Sequence, residues 1–235
     1  MNRTATICRA AAALCALLLF AAPLATRFGL VSWKIGLPLT ALAILGGAVL
    51  LLVALVLLAL PAWRAARAPL AASALLAALP VLAGVAVIGP GLGLPAIHDI
   101  STDIADPPQF VALVAVRGPD ANALVRSPQV DAAQRAAWPE LGPLDSALPP
   151  AQAFTRAART ARELGWQIQA EDAAAGLIEA SATTFWFGFV DDVVIRIRPH
   201  AGGSRIDLRS VSRVGQGDLG ANAKRILRFN AAFSG

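Results

Sequence analysis

The chain has 235 residues, 57% of them hydrophobic, and a mean hydropathy of +0.62, well above the apolar share of an average soluble protein. All 15 Asp and Glu lie from Asp99 onward, whereas the first 98 residues carry six charged side chains, all Lys or Arg. From Pro95 to the end 14 basic residues face 15 acidic ones, so the formal +5 belongs to the apolar half and argues against nucleic-acid binding.

The first apolar segment, Ala10 to Thr26, follows a short basic stretch (Arg3, Arg9) and ends in small residues at Ala21-Ala22-Pro23-Leu24-Ala25. It reads either as a retained membrane helix or as a cleavable signal peptide. The retained helix is preferred, because Pro23 spoils the usual pair of small residues before a cleavage point. Ile35 to Trp63 is 29 residues without a charge, and Ala68 to Ile97 is a second charge-free run. Each exceeds the roughly 30 Å of hydrocarbon to be crossed at ~1.5 Å per helical residue. The spacing therefore predicts a transmembrane region over residues 1–95, with spans at about 8–26, 36–60 and 69–89. Arg3, Arg9, Arg64 and Arg67 fall on one side, against Arg27 and Lys34 on the other, and no Lys or Arg follows the third span until Arg117. By the bias of basic residues toward the cytoplasm, the remainder of the chain is expected outside it, on a multi-pass protein of the bacterial inner (plasma) membrane. The spans hold no acidic or His side chain of the kind that marks an ion pathway.

Residues 96–150 are punctuated by Pro107-Pro108, Gly118-Pro119, Ser127-Pro128, Gly142-Pro143 and Pro149-Pro150, which predicts an irregular, Pro-rich arm. Within it Phe110 to Val116 reads as a short strand and Val130 to Ala137 as a helical turn. From 151 to 235 the periodicity sharpens. Phe154, Ala157, Ala158, Ala161 and Leu164 recur at helical spacing before Gly165. Four strands follow, carried by Trp166–Ala170, Leu177–Phe187, Val193–Arg198 and Arg205–Arg209. The last helix, Leu219 to Phe233, turns Leu219, Ala223, Ile226, Phe229 and Phe233 inward and Lys224, Arg225 and Arg228 outward. Links of about four to six residues between strands favour an antiparallel meander. The expected architecture is three transmembrane helices followed by an extracytoplasmic α+β domain of two layers, a four-stranded antiparallel sheet under two helices.

His98-Asp-Ile-Ser-Thr-Asp103 with Pro107-Pro108, Trp138-Pro139, Gly142-Pro143-Leu144, Gly165-Trp166 and Phe185-Trp-Phe-Gly-Phe189 come in a distinctive order. So do Asp191-Asp192, Val194-Ile-Arg-Ile-Arg-Pro199 and Arg209-Ser-Val-Ser-Arg213 running into Gly217-Asp218. In that order the stretch from about 96 to 232 resembles the bacterial family known as domain of unknown function 1499. The resemblance implies a membrane-associated or exported domain and carries over no catalytic residues.

Cys8 and Cys15 are the two cysteines, so neither a disulfide framework nor a Cys-ligated zinc belongs to the chain after residue 95. Gly215 to Gly220 spells G-x-G-x-x-G, but only 15 residues follow, too few for a βαβ unit, and Asp218 would repel a pyrophosphate. The expected role of that stretch is a turn with Asp218 capping a helix. Strand alternation places Arg196 and Arg198 on one face with Arg205, Arg209 and Arg213 on the neighbouring strand, alongside Glu179, Ser181 and Thr183. This face reads as a solvated surface whose arginines pair with Asp207 and Glu179. Sharpened, Arg196, Arg198, Arg205 and Arg209 form an anion-binding surface, since guanidinium forks match phosphate and carboxylate. His98, Asp99 and Asp103 form a second polar candidate, for a structural turn or for acid–base work. Phe185–Phe189 is an aromatic cluster. No catalytic residue, metal site or cofactor is assigned. The expected function is an uncharacterised membrane protein with an extracytoplasmic binding or scaffolding domain in the cell envelope, more a binder than an enzyme. Its partners would be the bilayer, an anionic lipid or envelope polymer, or another membrane protein. The alternative is an envelope hydrolase or metal-dependent enzyme using His98 and nearby carboxylates.

Overall fold

A computed structural model describes residues 3–235. The chain divides into two compact units, one comprising residues up to Leu92 together with Phe185–Gly188, the other Gly93–Thr184 with Phe189–Gly235.

The first unit is built from α1 (Arg3–Arg27), α2 (Trp33–Ala59) and α3 (Arg67–Ile88), the last two joined through a 3-10 turn at Pro61–Ala66. All three helices, the third counted as Pro61–Gly91, are long and apolar enough to cross a membrane. Their packing inverts that of a water-soluble bundle. Most buried positions are small: Ala5, Ala12 and Ala22 in α1, Ala43, Gly47 and Ala54 in α2, Ser73, Ala77 and Gly84 in α3, with Leu19 and Leu70 the large aliphatic exceptions among the described residues. Leu42, Leu45, Leu52, Leu75 and Leu82 point outward instead. Lipid tails offer no penalty to exposed leucine, so close backbone approach decides which residues face inward. A Cβ built on Gly47 would lie 2.5 Å from the Pro80 ring, so α2 and α3 need glycine there.

The second unit carries six antiparallel strands: β1 (Asp99–Ser101), β2 (Leu144–Ser146), β3 (Gln167–Asp172), β4 (Leu177–Thr183), β5 (Val190–His200) and β6 (Gly203–Ser212). The order is β1-β6-β5-β4-β3, and β2 shares the outer edge of β6 with β1. β1 pairs Asp99–Ser101 with Val211–Arg209, and β2 pairs Leu144–Ser146 with Ile206–Ser204. The expected four-stranded meander is therefore β3–β6, enlarged by two strands of three residues each from the Pro-rich stretch, too short to show alternation. Phe110 to Val116, expected as a strand, holds a 3-10 turn at Leu113–Val116 instead. The helical turn near Val130 is α4 (Pro128–Ala137), capped by the Ser127 hydroxyl, which accepts from the Val130 amide.

The last helices, α5 (Pro150–Glu163) and α6 (Ala221–Ser234), cover one sheet face. Ala153, Ala157 and Ala161 of α5 and Ala223, Ile226 and Phe229 of α6 close a core over Ile178, Ala180, Val193, Ile195, Ile206 and Leu208. Trp166 stacks on Phe229, ring centroids 5.5 Å apart, and Phe229 on Phe233 at 5.9 Å. The opposite face is covered as well, which the two-layer expectation missed. Residues 102–126 lie across it, and Phe110 and Leu113 pack on Val194 and Val211. The unit thus has three layers, helices, sheet and an irregular arm.

Candidate functional site

The register puts the expected residues on a common face. Arg196 lies opposite Asp207, Arg198 opposite Arg205, Val194 opposite both Glu179 and Arg209, and Asp192 opposite Ser181. The face is not solvated, however, because the arm lies over it and carries acidic groups that meet the arginines.

Arg209 is 1% exposed. Its Nη2 and Nε donate to the two Asp99 carboxylate oxygens at 2.8 and 3.1 Å, a bidentate pair. The remaining donors reach the carbonyls of Pro108 (3.3 Å) and Leu124 (2.5 Å), and Phe110 lies under the guanidinium at 5.6 Å. Arg126 closes the other side of Asp99, donating to its Oδ1 at 2.7 Å and to its backbone carbonyl at 2.8 Å, while also holding Asp131 and Gln134. One buried carboxylate thus holds an arginine from the sheet and an arginine from the arm.

The same arrangement recurs along the face. Asp192 is fully buried and accepts from Arg213 of the sheet end (2.8 Å) and Arg117 of the arm (2.6 Å). Arg196 and Arg198 both donate to Asp207 Oδ2, at 3.1 and 2.8 Å, and both reach Asp103 and Asp106. Arg205 pairs with the exposed Asp145 at 2.9 Å, and that hydrogen bond holds the Asp145 carboxyl below the ordinary carboxylate range. Asp207 pairs with arginines as expected. Glu179 does not: its carboxylate accepts the amides of Val111, Ala112 and Leu113, each at 2.8 Å. An acidic group there faces the positive N-terminal end of the 3-10 turn and satisfies three orphan donors.

His98, Asp99 and Asp103 follow one another in the chain but do not converge. His98 Nδ1 faces the Gln216 carbonyl at 3.3 Å, Asp99 is held by Arg209 and Arg126, and Asp103 turns to Arg196 and Arg198. The His98 carbonyl accepts instead from Asn222 Nδ2 at 3.1 Å. Asn222 is fully buried and also joins Ser210, Ser212 and Arg225. Arg225, expected to face outward, turns in to Asp191 at 2.5 Å, because that carboxylate is buried and needs a partner. In the glycine-rich turn Gly220, not the expected Asp218, is the N-cap of α6; Asp218, two residues earlier, accepts the amides of Gly220 (2.8 Å) and Asn222 (2.7 Å). Burial pushes its carboxyl above the ordinary range against the pull of those amides.

Sequence reasoning missed Arg126, Gln134 and Asn222. Gln134 is fully buried, and its amide accepts from Ser101 N–H (3.0 Å) and donates to Ser101 C=O (2.6 Å), standing in for a neighbouring strand beside β1. Its only signal was a polar residue amid alanines. The aromatic cluster is also displaced. β4 stops at Thr183, and residues 184–188 form the turn into β5, with Gly188 at φ +69°.

On the outer side of the helix layer, Leu148, Ala151, Gln152, Thr155, Arg156 and Arg159 line a shallow groove of about 500 Å³. Among the described residues Arg156, Lys224 and Arg228 form no ion pair, whereas the arginines of the sheet face all do.

A family model described as "Protein of unknown function (DUF1499)" matches residues 99–233. No curated protein matches the chain.

Proposed function

This chain belongs to the DUF1499 family of proteins of unknown function, and on that premise we propose a function from its own residues. It is a multi-pass protein of the bacterial inner membrane whose second unit lies outside the cytoplasm and binds or scaffolds an anionic component of the cell envelope, a lipid headgroup or an envelope polymer.

The observation that carries this reading is where the uncompensated charge lies. On the arm-covered face, carboxylates and guanidiniums neutralise one another, and Arg117, Arg126, Arg209 and Arg213 donate to the chain's own groups. Arg209 is closed to any outside anion, and of the arginine surface only the half-exposed Arg198 and Arg205 remain within reach of one. The outer faces of α5 and α6 differ. They present Arg156, Lys224 and Arg228, which form no ion pair among the described residues, and Arg159, which pairs with Glu163 at 3.7 Å; Arg156 and Arg159 line the groove. Such a patch attracts polyanions through charge and guanidinium geometry. The polar groups that an enzyme would need are, by contrast, dispersed among separate ion pairs. The outward sidedness draws its support from the bias of Arg3, Arg9, Arg64 and Arg67 to the opposite end of the helices.

The test uses the full chain in nanodiscs of neutral lipid, titrated with phosphatidylglycerol vesicles, with phosphatidylcholine vesicles and with soluble polyphosphate. Binding to the anionic probes that weakens with salt, and is lost on replacing Arg156, Arg159, Lys224 and Arg228 together by Gln, is the expected result. Equal binding by that variant, or loss only in R198A/R205A, removes the helix face. A reporter fused after Gly235 that is active only in the cytosol removes the sidedness.

A further inference from the structure

We infer that the β4–β5 turn, Phe185-Trp186-Phe187-Gly188, is a membrane-interface anchor that sets Phe185 and Trp186 among the lipids at the level where α1 leaves the bilayer. The inference goes beyond the envelope-ligand reading and does not depend on it.

The turn is the one part of the sheet hairpin that belongs to the helical unit. Trp186 meets Phe20 of α1 at 5.7 Å between ring centroids, and Phe185 stands edge-on to Trp186 at 5.2 Å. The Arg27 guanidinium lies over the Phe185 ring at 5.5 Å and donates to the Phe185 carbonyl at 2.5 Å. Gly188 lets the turn come this close: its φ is +69°, and a Cβ there would lie 3.3 Å from Arg27 Cα. Yet the contacts leave Phe185 70% and Trp186 44% exposed. An exposed pair of large aromatic rings is unfavourable in water and natural at the headgroup level, where Trp collects.

Depth agrees with chemistry. From Phe20 to Arg27 is seven residues, roughly 10 Å along a helix axis. The polar zone on each side of the hydrocarbon is several ångströms thick, roughly half the difference between ~30 and ~40–45 Å. With Arg27 among the headgroups, Phe20 and the ring of Trp186 reach the upper acyl chains. The same end of the bundle already carries the marks of an interface: Phe28 and Leu30 are exposed in the α1–α2 turn, and Lys34 lies over the Trp33 ring. Phe185 and Trp186 join that belt through Phe20 and Arg27.

The test is a nitroxide on Phe185→Cys in a C8A/C15A background of the full chain, reconstituted in phosphatidylcholine–phosphatidylglycerol bilayers. Leu52→Cys, on the outward face of α2, is the lipid reference, and Val125→Cys, 88% exposed in the arm, is the aqueous reference. The label at 185 is expected to lose most of its collisions with a water-soluble nickel chelate relative to position 125 while colliding more with oxygen. Accessibility equal to that at position 125, with position 52 still in lipid, overturns the inference. The unlabelled chain supplies a second reading: lipids brominated near the headgroup quench Trp186, so W186F loses part of the quenched emission. An unchanged quenched fraction in W186F also overturns it.

Discussion

Removing Arg209 tests whether the buried ion pair holds the arm on the sheet. In R209A the Asp99 carboxylate keeps Arg126 but loses its bidentate partner, and the carbonyls of Pro108 and Leu124 lose a donor. Breaking a buried pair by removing one partner costs ~3–5 kcal/mol. Arg126 moderates the charge left behind, whereas two orphaned carbonyls at ~1–3 kcal/mol each push the other way, so we place the loss at ~4 kcal/mol. R209K keeps the charge but loses the fork, and is expected to recover less than half of it. For a unit of this size ~1 kcal/mol moves the midpoint by roughly 2–4 °C, so R209A melts ~8–16 °C lower. Thermal unfolding of the full chain in detergent, followed through the buried Trp138 and Trp166, reads the shift. Trypsin reads its location, since a released arm bares Arg117 and Arg126. A midpoint within 2–3 °C of wild type, or a large shift with the arm still protected, would refute the reasoning.

Glu179→Gln leaves a carboxamide facing three backbone donors, and its NH2 cannot accept from them; we expect a loss of ~2–3 kcal/mol and faster amide exchange at Val111–Leu113. Gly176 sits at φ +67° with the Ile197 carbonyl oxygen 2.3 Å from where a Cβ would stand, so G176A loses at least ~1–2 kcal/mol in a denaturation midpoint. Two carboxylates give opposite pH signatures. Asp145, depressed by Arg205, contributes stability above the unfolded pKa of ~3.9 and loses it as pH falls through the lower folded value. D145N therefore flattens the acid limb of a stability–pH profile. Asp218, raised by burial, contributes stability that is present below ~3.9 and lost as pH rises through its higher folded value. D218N removes that decline toward neutrality, and a profile parallel to wild type in either variant contradicts the assignment.

Patterns that repeat were legible from residue order alone. Charge-free runs marked the three helices, the second and third runs being longer than the hydrocarbon core, and period-two alternation marked β3 to β6 and put Arg196, Arg198, Arg205 and Arg209 on one face. The same alternation could not say what covers that face. β1 and β2 have three residues each, below the length at which alternation is visible, and are strands only because β6 offers them an edge. The arginine face read as solvated because its carboxylate partners, Asp99, Asp103 and Asp106, lie about 90 to 110 residues away and meet it only when β1 pairs with β6 and residues 102–126 fold across the sheet. Likewise Phe185 and Trp186 lie in a run that reads as strand, and it is the end of pairing at Thr183 together with Gly188 that turns them toward α1. Hydrophobicity and periodicity are local properties, so the chain's own order reveals them. Which ion pair closes over which strand depends on contacts between distant segments, and those form only in the folded molecule.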